Sequence, residues 1–252
     1  MTDLTRQADT AALTKLIRQR HSERSAFNPD RPVKDADLAA ILEAARWAPT
    51  AHNMQNFEVV VVDDPRVLDA IGRVHSTTTH EFIVENFRQL SFSEDELIRK
   101  GVGVLATSFP PEWLNPEGDF QEAADMEHGF LDSTMRSCPL ALIVLHNPRR
   151  RAPASTGDFL GIISLGCVME NMWLTAEALG IGVQIMSVFS GNGTEAELRG
   201  ILAIPPELRI AYALRLGYPL DSDRPYLRVR RGVRSFAHRN HYGAHFAPDA
   251  TV

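Results

Sequence analysis

DFLGIISLGCVMENMWLTAEAL, residues 158–179, limits what this chain can fold into more than any other stretch. It reads as one long helix, apolar nearly all the way round, and such a helix has to be covered all the way round. Glu170, Asn171 and Glu177 interrupt the apolar run, so it suits the interior of a protein better than a lipid bilayer. A sheet covers one side only. Gly161, Ser164 and Gly166 are small enough to let another helix approach closely, which points to a second copy of the same helix on the other side. An obligate homodimer with a large apolar interface is therefore expected.

The chain has 252 residues, enough to bury a sizeable core without staples. Its formal net charge of -6 speaks against a general nucleic-acid or anionic-membrane binder, while leaving room for a local basic pocket. Cys138 and Cys167 stand far apart in apolar surroundings and read as reduced packing residues. MTDLTRQADT, at the start, has no apolar signal core, and a cytoplasmic location is expected.

Leu13, Leu16 and Ile17 mark an amphipathic first helix ending near Arg20. Leu38, Ile41, Leu42 and Ala45 mark a second, capped by Asp35 or a neighbour and stopping before Pro49. FEVVVVDD (57–64) reads as a strand buried on both faces. LALIVLH (140–146), IGVQIMSV (181–188) and IAYALRLGYP (210–219) read as three more strands. Residues 80–106 look mostly helical, FPPEWLNPEGD (109–119) is a Pro/Gly loop, and TEAE (194–197) matches a capping box opening a short helix. Neither a repeat nor a linker between cores is visible. Residues 1–252 are thus expected to form one α+β domain, a mixed, mostly antiparallel buried sheet with helices on both faces. Within it, 75–125 is a variable cover and 221–252 an extended C-terminal arm.

Chemistry is concentrated in RHSERSAF (20–27), which sets Arg20, Ser22 and Arg24 at alternate positions. Two arginines here suit a solvated helix end, where cations meet the negative end of the dipole. A second cationic cluster, RVRRGVR (228–234), stands at the other end of an acidic chain, and the guanidinium fork matches phosphate geometry. Between them, WAPTAHNMQNFEVVVV (47–62) offers small residues beside a proline-fixed turn and amides at Asn53 and Gln55, a pattern that can border a planar ring.

With RHSERSAF, APTAHNMQNFEVVVV, ENMWLTAEALGIGVQIMS and LRLGYP…RVRRGV in this order, the chain resembles the FMN-dependent nitroreductase family over residues 13 to about 240. The resemblance implies an α+β homodimer that binds FMN at the subunit interface, with both chains touching it. It implies that Arg20, Arg228 and Arg230 neutralise the FMN phosphate, with Ser22 and the His21 backbone adding hydrogen bonds. Arg24 falls where the family places a cation near the pyrimidine edge of the flavin, a position that would favour the reduced anion. Pro49, Thr50 and Ala51 of the partner chain would border the isoalloxazine, with Asn53 and Gln55 completing the loop. Ile185, Met186, Ser187 and Val188 match the segment whose backbone N–H faces flavin N5. The implied activity is ping-pong hydride transfer from NAD(P)H through FMN to a nitroaromatic or quinone-type acceptor, with no acid or base side chain required. Relatives with the same fold run other flavin chemistry (dehalogenating, flavin-fragmenting, dehydrogenating) or bind flavin without catalysis, and these are the alternatives.

Two departures stand out. Asn56-Phe57 replaces the family's common Pro-Trp, keeping an aromatic ring but removing a backbone constraint. Residues 75–125, with Phe87, Phe92, Phe109 and Trp113, do not match and read as the substrate-facing cover. GVGVLA (101–106) imitates a dinucleotide fingerprint but follows a polar helical run where a strand is required. His238, His241 and His245 are too irregularly spaced for a metal site, and no metal is expected. Met169, Met172 and Trp173 read as core.

Overall fold

The computed structural model describes residues 3–76, 85, 90–108, 130–153, 155–220 and 227–246. The Pro/Gly loop at 109–119, with Phe87 and Trp113, lies outside them. The chain divides into two compact units, Met1–Ser76 with His128–Ser222 and Thr77–Glu127 with Asp223–Val252.

Among the described residues the helices are α1 (Asp3–Gln19), α2 (Asp35–Arg46), α3 (Pro65–Gly72), α4 (Glu94–Lys100), α5 (Phe130–Arg136), α6 (Phe159–Ala178) and α7 (Asn192–Ile201). The strands are β1 (Glu58–Val62), β2 (Ser91–Phe92), β3 (Val104–Leu105), β4 (Leu140–His146), β5 (Gly182–Met186) and β6 (Arg209–Gly217). The first unit is built on an antiparallel sheet in the order β1-β4-β6-β5. Side chains alternate across a strand, and β4 uses both faces. Leu140, Leu142 and Val144 join α2 and α6 in one apolar layer. Ala141, Ile143 and Leu145 join α3, α5 and α7 in the other. The expected sheet covered by helices on both faces is what forms.

One strand is placed differently from its sequence reading. The Val59–Val62 run forms β1 at the sheet edge, with Val61 36% exposed, rather than a strand buried on both faces. A continuous apolar run reports hydrophobicity, not position within a sheet.

Helix α6 packs Leu165, Val168, Met172, Trp173 and Ala176 into the first layer. Its other face leaves Phe159, Ile162 and Ile163 at 65%, 63% and 47% exposure. Helix α1 lies against α6 and shows Leu13 and Ile17 half-exposed. Among the described residues of one chain, the all-round apolar helix is packed on one side and exposes Phe159, Ile162 and Ile163 on the other.

At the helix starts, Lys34, the neighbour of Asp35, is the N-cap of α2 and makes no side-chain cap bond. Helix α7 opens at Asn192, and Thr194 donates its hydroxyl hydrogen to the His75 carbonyl (3.3 Å) instead of forming a capping box.

In the second unit the capping box that does form is Ser93 with Glu96, at the start of α4. Gly101 ends α4 at φ +66, and a Cβ there would lie 3.1 Å from the Arg231 backbone, so only glycine lets the tail pass that close. GVGVLA thus runs from a helix end into β3, the reverse of a dinucleotide fingerprint. The described part of 80–106 mixes α4 with β2 and β3 rather than being mostly helical. In the tail, the ring of His238 packs against those of Tyr242 and His245. Among the described residues no three metal-ligating side chains come together.

Candidate functional site

The Arg20–Phe27 segment runs along the free edge of β5. Ser22 pairs with Val183, Glu23 N donates to the Val183 carbonyl at 2.8 Å, and Phe27 pairs with Pro219. Phe27 is fully buried and acts as the anchor. It fits because Gly182 and Gly217 have no Cβ; one added at Gly217 would stand 2.7 Å from the Phe27 side chain. The segment also braces itself. The Glu23 carboxylate accepts from Ser25 N (2.9 Å) and faces His21 Nε2 at 3.3 Å. Burial is the largest single influence on Glu23 and pushes its pKa up, but the hydrogen bonds from Ser25 and His21 outweigh it and leave the carboxyl below its ordinary value.

Helix α6 fixes the front of the motif. Trp173 Nε1 donates to the His21 carbonyl at 3.2 Å. The Arg20 guanidinium lies 4.8 Å from the Trp173 ring centroid and pairs with Glu170, Nε to Oε1 at 3.4 Å. Arg20 Nε is nevertheless buried with no hydrogen-bond partner among the described residues. A guanidinium held in place with an unsatisfied buried donor, beside a hydroxyl and a second arginine, suits a multiply charged anion. Ile185 and Met186 end β5 and lead into a single 3-10 turn, Ser187–Ser190. Arg20, His21, Ser22 and Arg24 therefore share one segment at the β5 edge, with Ile185 and Met186 further along the same strand and Ser187 and Val188 just beyond its end.

The Pro49–Gln55 loop is held elsewhere. Ala51 N donates to Ser164 Oγ at 3.0 Å, so Ser164 serves a contact within the chain. Ser164 and Trp173 are nine residues apart, about 14 Å along α6. One chain thus holds the loop and the arginine segment at separate ends of the same helix. The loop carries backbone strain: His52, Asn53 and Gln55 sit at φ 52, 52 and 46. Left-handed conformations in non-glycine residues cost roughly 1–3 kcal/mol each and mark functional loops. Thr50 Oγ1 accepts from Gln55 N (3.1 Å), and Gln55 Nε2 donates to Asn53 Oδ1 (3.2 Å), so the two amides bond to each other. Asn56 is not the lost constraint its replacement of proline suggests. Its amide donates to the Asn147 and Arg150 carbonyls and accepts from Asn147 N, tying the loop to the end of β4.

Arg228 and Arg230 lie in the second unit, both exposed, with an Arg230 terminal nitrogen donating to the Val229 carbonyl at 2.7 Å. A residue that the sequence reading passed over is Arg215, 3% exposed in the middle of β6. An arginine set among the apolar residues of Ile210–Leu216 was its only signal.

The nitroreductase family model matches residues 17–218, four-fifths of the chain. The chain belongs to the nitroreductase family. A curated relative, an NADPH-dependent oxidoreductase of Staphylococcus haemolyticus, is 22% identical over 229 residues, covering 91% of this chain and 73% of the relative. A Thermus thermophilus protein named NADH dehydrogenase is 27% identical, covering 88% and 91%. Among solved structures, the nitroreductase with bound FMN from Bacteroides fragilis aligns at a TM-score of 0.53 and 20% identity, over 87% of this chain and 94% of that one. The FMN-dependent nitroreductase from Clostridium difficile aligns at 0.56 and 16%, over 90% and 98%. These likenesses establish the fold of this nitroreductase-family chain.

Proposed function

We propose that this chain is an FMN-dependent NAD(P)H oxidoreductase that acts as a homodimer on nitroaromatic or quinone-type acceptors. The observation that carries the reading is the Arg20–Arg24 segment on the β5 edge, with a guanidinium fixed beside Glu170 and Trp173 whose buried Nε makes no hydrogen bond among the described residues. Family membership and the names of the relatives support the same chemistry.

The donor set fits FMN. Arg20 and Ser22 offer a guanidinium and a hydroxyl to the phosphate, and charge-assisted bonds contribute on the order of 1.5–3 kcal/mol each. Glu170 beside Arg20 holds the guanidinium in position before the phosphate arrives. Arg24, exposed on the same segment, places positive charge where it favours an anionic reduced ring. By family resemblance, backbone N–H groups of the Ile185–Val188 segment would serve the ring nitrogen, a role in which side-chain identity matters little. Held by these residues, FMN would supply the hydride-transfer chemistry between nicotinamide and the acceptor. The chain's own part is to bind, orient and keep water out.

The Thr50–Gln55 loop, about 14 Å along α6 from the arginine segment, serves the site of the other copy. The exposed Phe159, Ile162 and Ile163 face of α6 supports this two-chain arrangement. Arg228 and Arg230 are assigned to the phosphate on family resemblance alone. The test is anaerobic mixing of the flavin-loaded protein with NADH or NADPH. Rapid bleaching, reversed by a nitroaromatic or a quinone, is expected; inertness to both nucleotides would reject the reading.

A further inference from the structure

No part of the proposed reaction uses Arg215, yet its surroundings are those of a tuned device rather than of a buried accident. The guanidinium is almost wholly buried, and a buried charge is tolerated only when its donors are satisfied. Nε donates to Gln184 Oε1 on β5 at 2.6 Å. One terminal nitrogen donates to the Ser25 carbonyl at 2.7 Å and also reaches the Glu23 carbonyl at 3.4 Å. The guanidinium carbon lies 4.4 Å from the Phe27 ring centroid. The two carbonyls that Arg215 grips are those on either side of Arg24. Glu23 and Ser25 are part-buried against the fold, while Arg24 between them is exposed. The backbone at Arg24 cannot rotate without breaking a charge-assisted hydrogen bond to a buried group.

We propose that Arg215 is a positioning residue: by holding the carbonyls that flank Arg24, it fixes where the Arg24 guanidinium stands and so sets the midpoint potential of the bound flavin. The proposal rests on the FMN reading above. A merely structural role for Arg215 would lower the melting temperature without any energetic link to Arg24, so the two roles separate in a double-mutant comparison.

The experiment measures the flavin midpoint potential of the FMN-loaded wild type, Arg215→Lys, Arg24→Ala and the double variant. Arg215→Lys keeps the charge but loses the planar fork and the Nε donor. The expected result is a shift to more negative potential in Arg215→Lys, and no further shift when it is added to Arg24→Ala. An unchanged potential in Arg215→Lys, or the same shift with and without Arg24, overturns the proposal. If Arg215→Lys does not fold, Gln184→Leu, which removes the acceptor that aims Nε, makes the same comparison with the same two outcomes. A wild-type protein that takes up no FMN overturns the underlying reading, and the proposal with it, before any variant is made.

Discussion

Single ionisable residues set how this nitroreductase-family chain responds to acid. Burial holds the His146 imidazole below its ordinary 6.5, and the Asp158 and Glu195 carboxylates only partly oppose it. The unfolded chain therefore binds a proton on His146 more readily than the folded one, and stability present above pH 6.5 is lost as pH falls through that value. Glu23, held below its ordinary 4.5, adds stability that is present above 4.5 and lost as pH falls further. Urea unfolding midpoints are expected to fall between pH 6.5 and 5, then again below 4.5, and His146→Gln should remove the first step. A midpoint flat from pH 7.5 to 5 would contradict the assignment. The residues around the motif were unevenly legible in the sequence. Arg20, Ser22 and Arg24 announce themselves by type and spacing. The partners that fix them, Trp173, Gln184 and Arg215, come from distant elements and carry no local pattern.

At the scale of elements, the β5 edge and the Arg20–Phe27 segment act as one piece. Phe27 seats against two glycines, and Gly217→Ala would drive a methyl group into its ring. Such overpacking costs about 1–3 kcal/mol and shifts the backbone that carries Arg24. Gly217→Ala is expected to lose that much unfolding free energy in urea, with Phe27→Leu in the same chain recovering part of it; an unchanged midpoint would show that the segment is not seated as described. Strands β4, β5 and β6 and helices α2 and α6 were legible because their apolar periodicities are long and bounded by Pro, Gly or Asp. Edge position in β1 and the true start of α7 were not, since both are set by neighbours: the sheet order for one, the His75 carbonyl for the other.

For the whole molecule, a chain with net charge -6 gathers cations onto one sheet edge and leaves one side of α6 and α1 apolar and exposed. Two copies meeting on that side would cover both helices and bring one copy's Thr50–Gln55 loop toward the other copy's arginines. The exposed apolar side was legible in the sequence through one feature, the all-round apolarity of residues 158–179. The measurement that tests the account most directly is an FMN titration of the purified protein, followed by quenching of flavin fluorescence. One FMN per chain is expected to bind the wild type, and Arg20→Ala should raise Kd about 10- to 150-fold, the loss of one charge-assisted contact. No binding by the wild type, or the same Kd in both proteins, would contradict it.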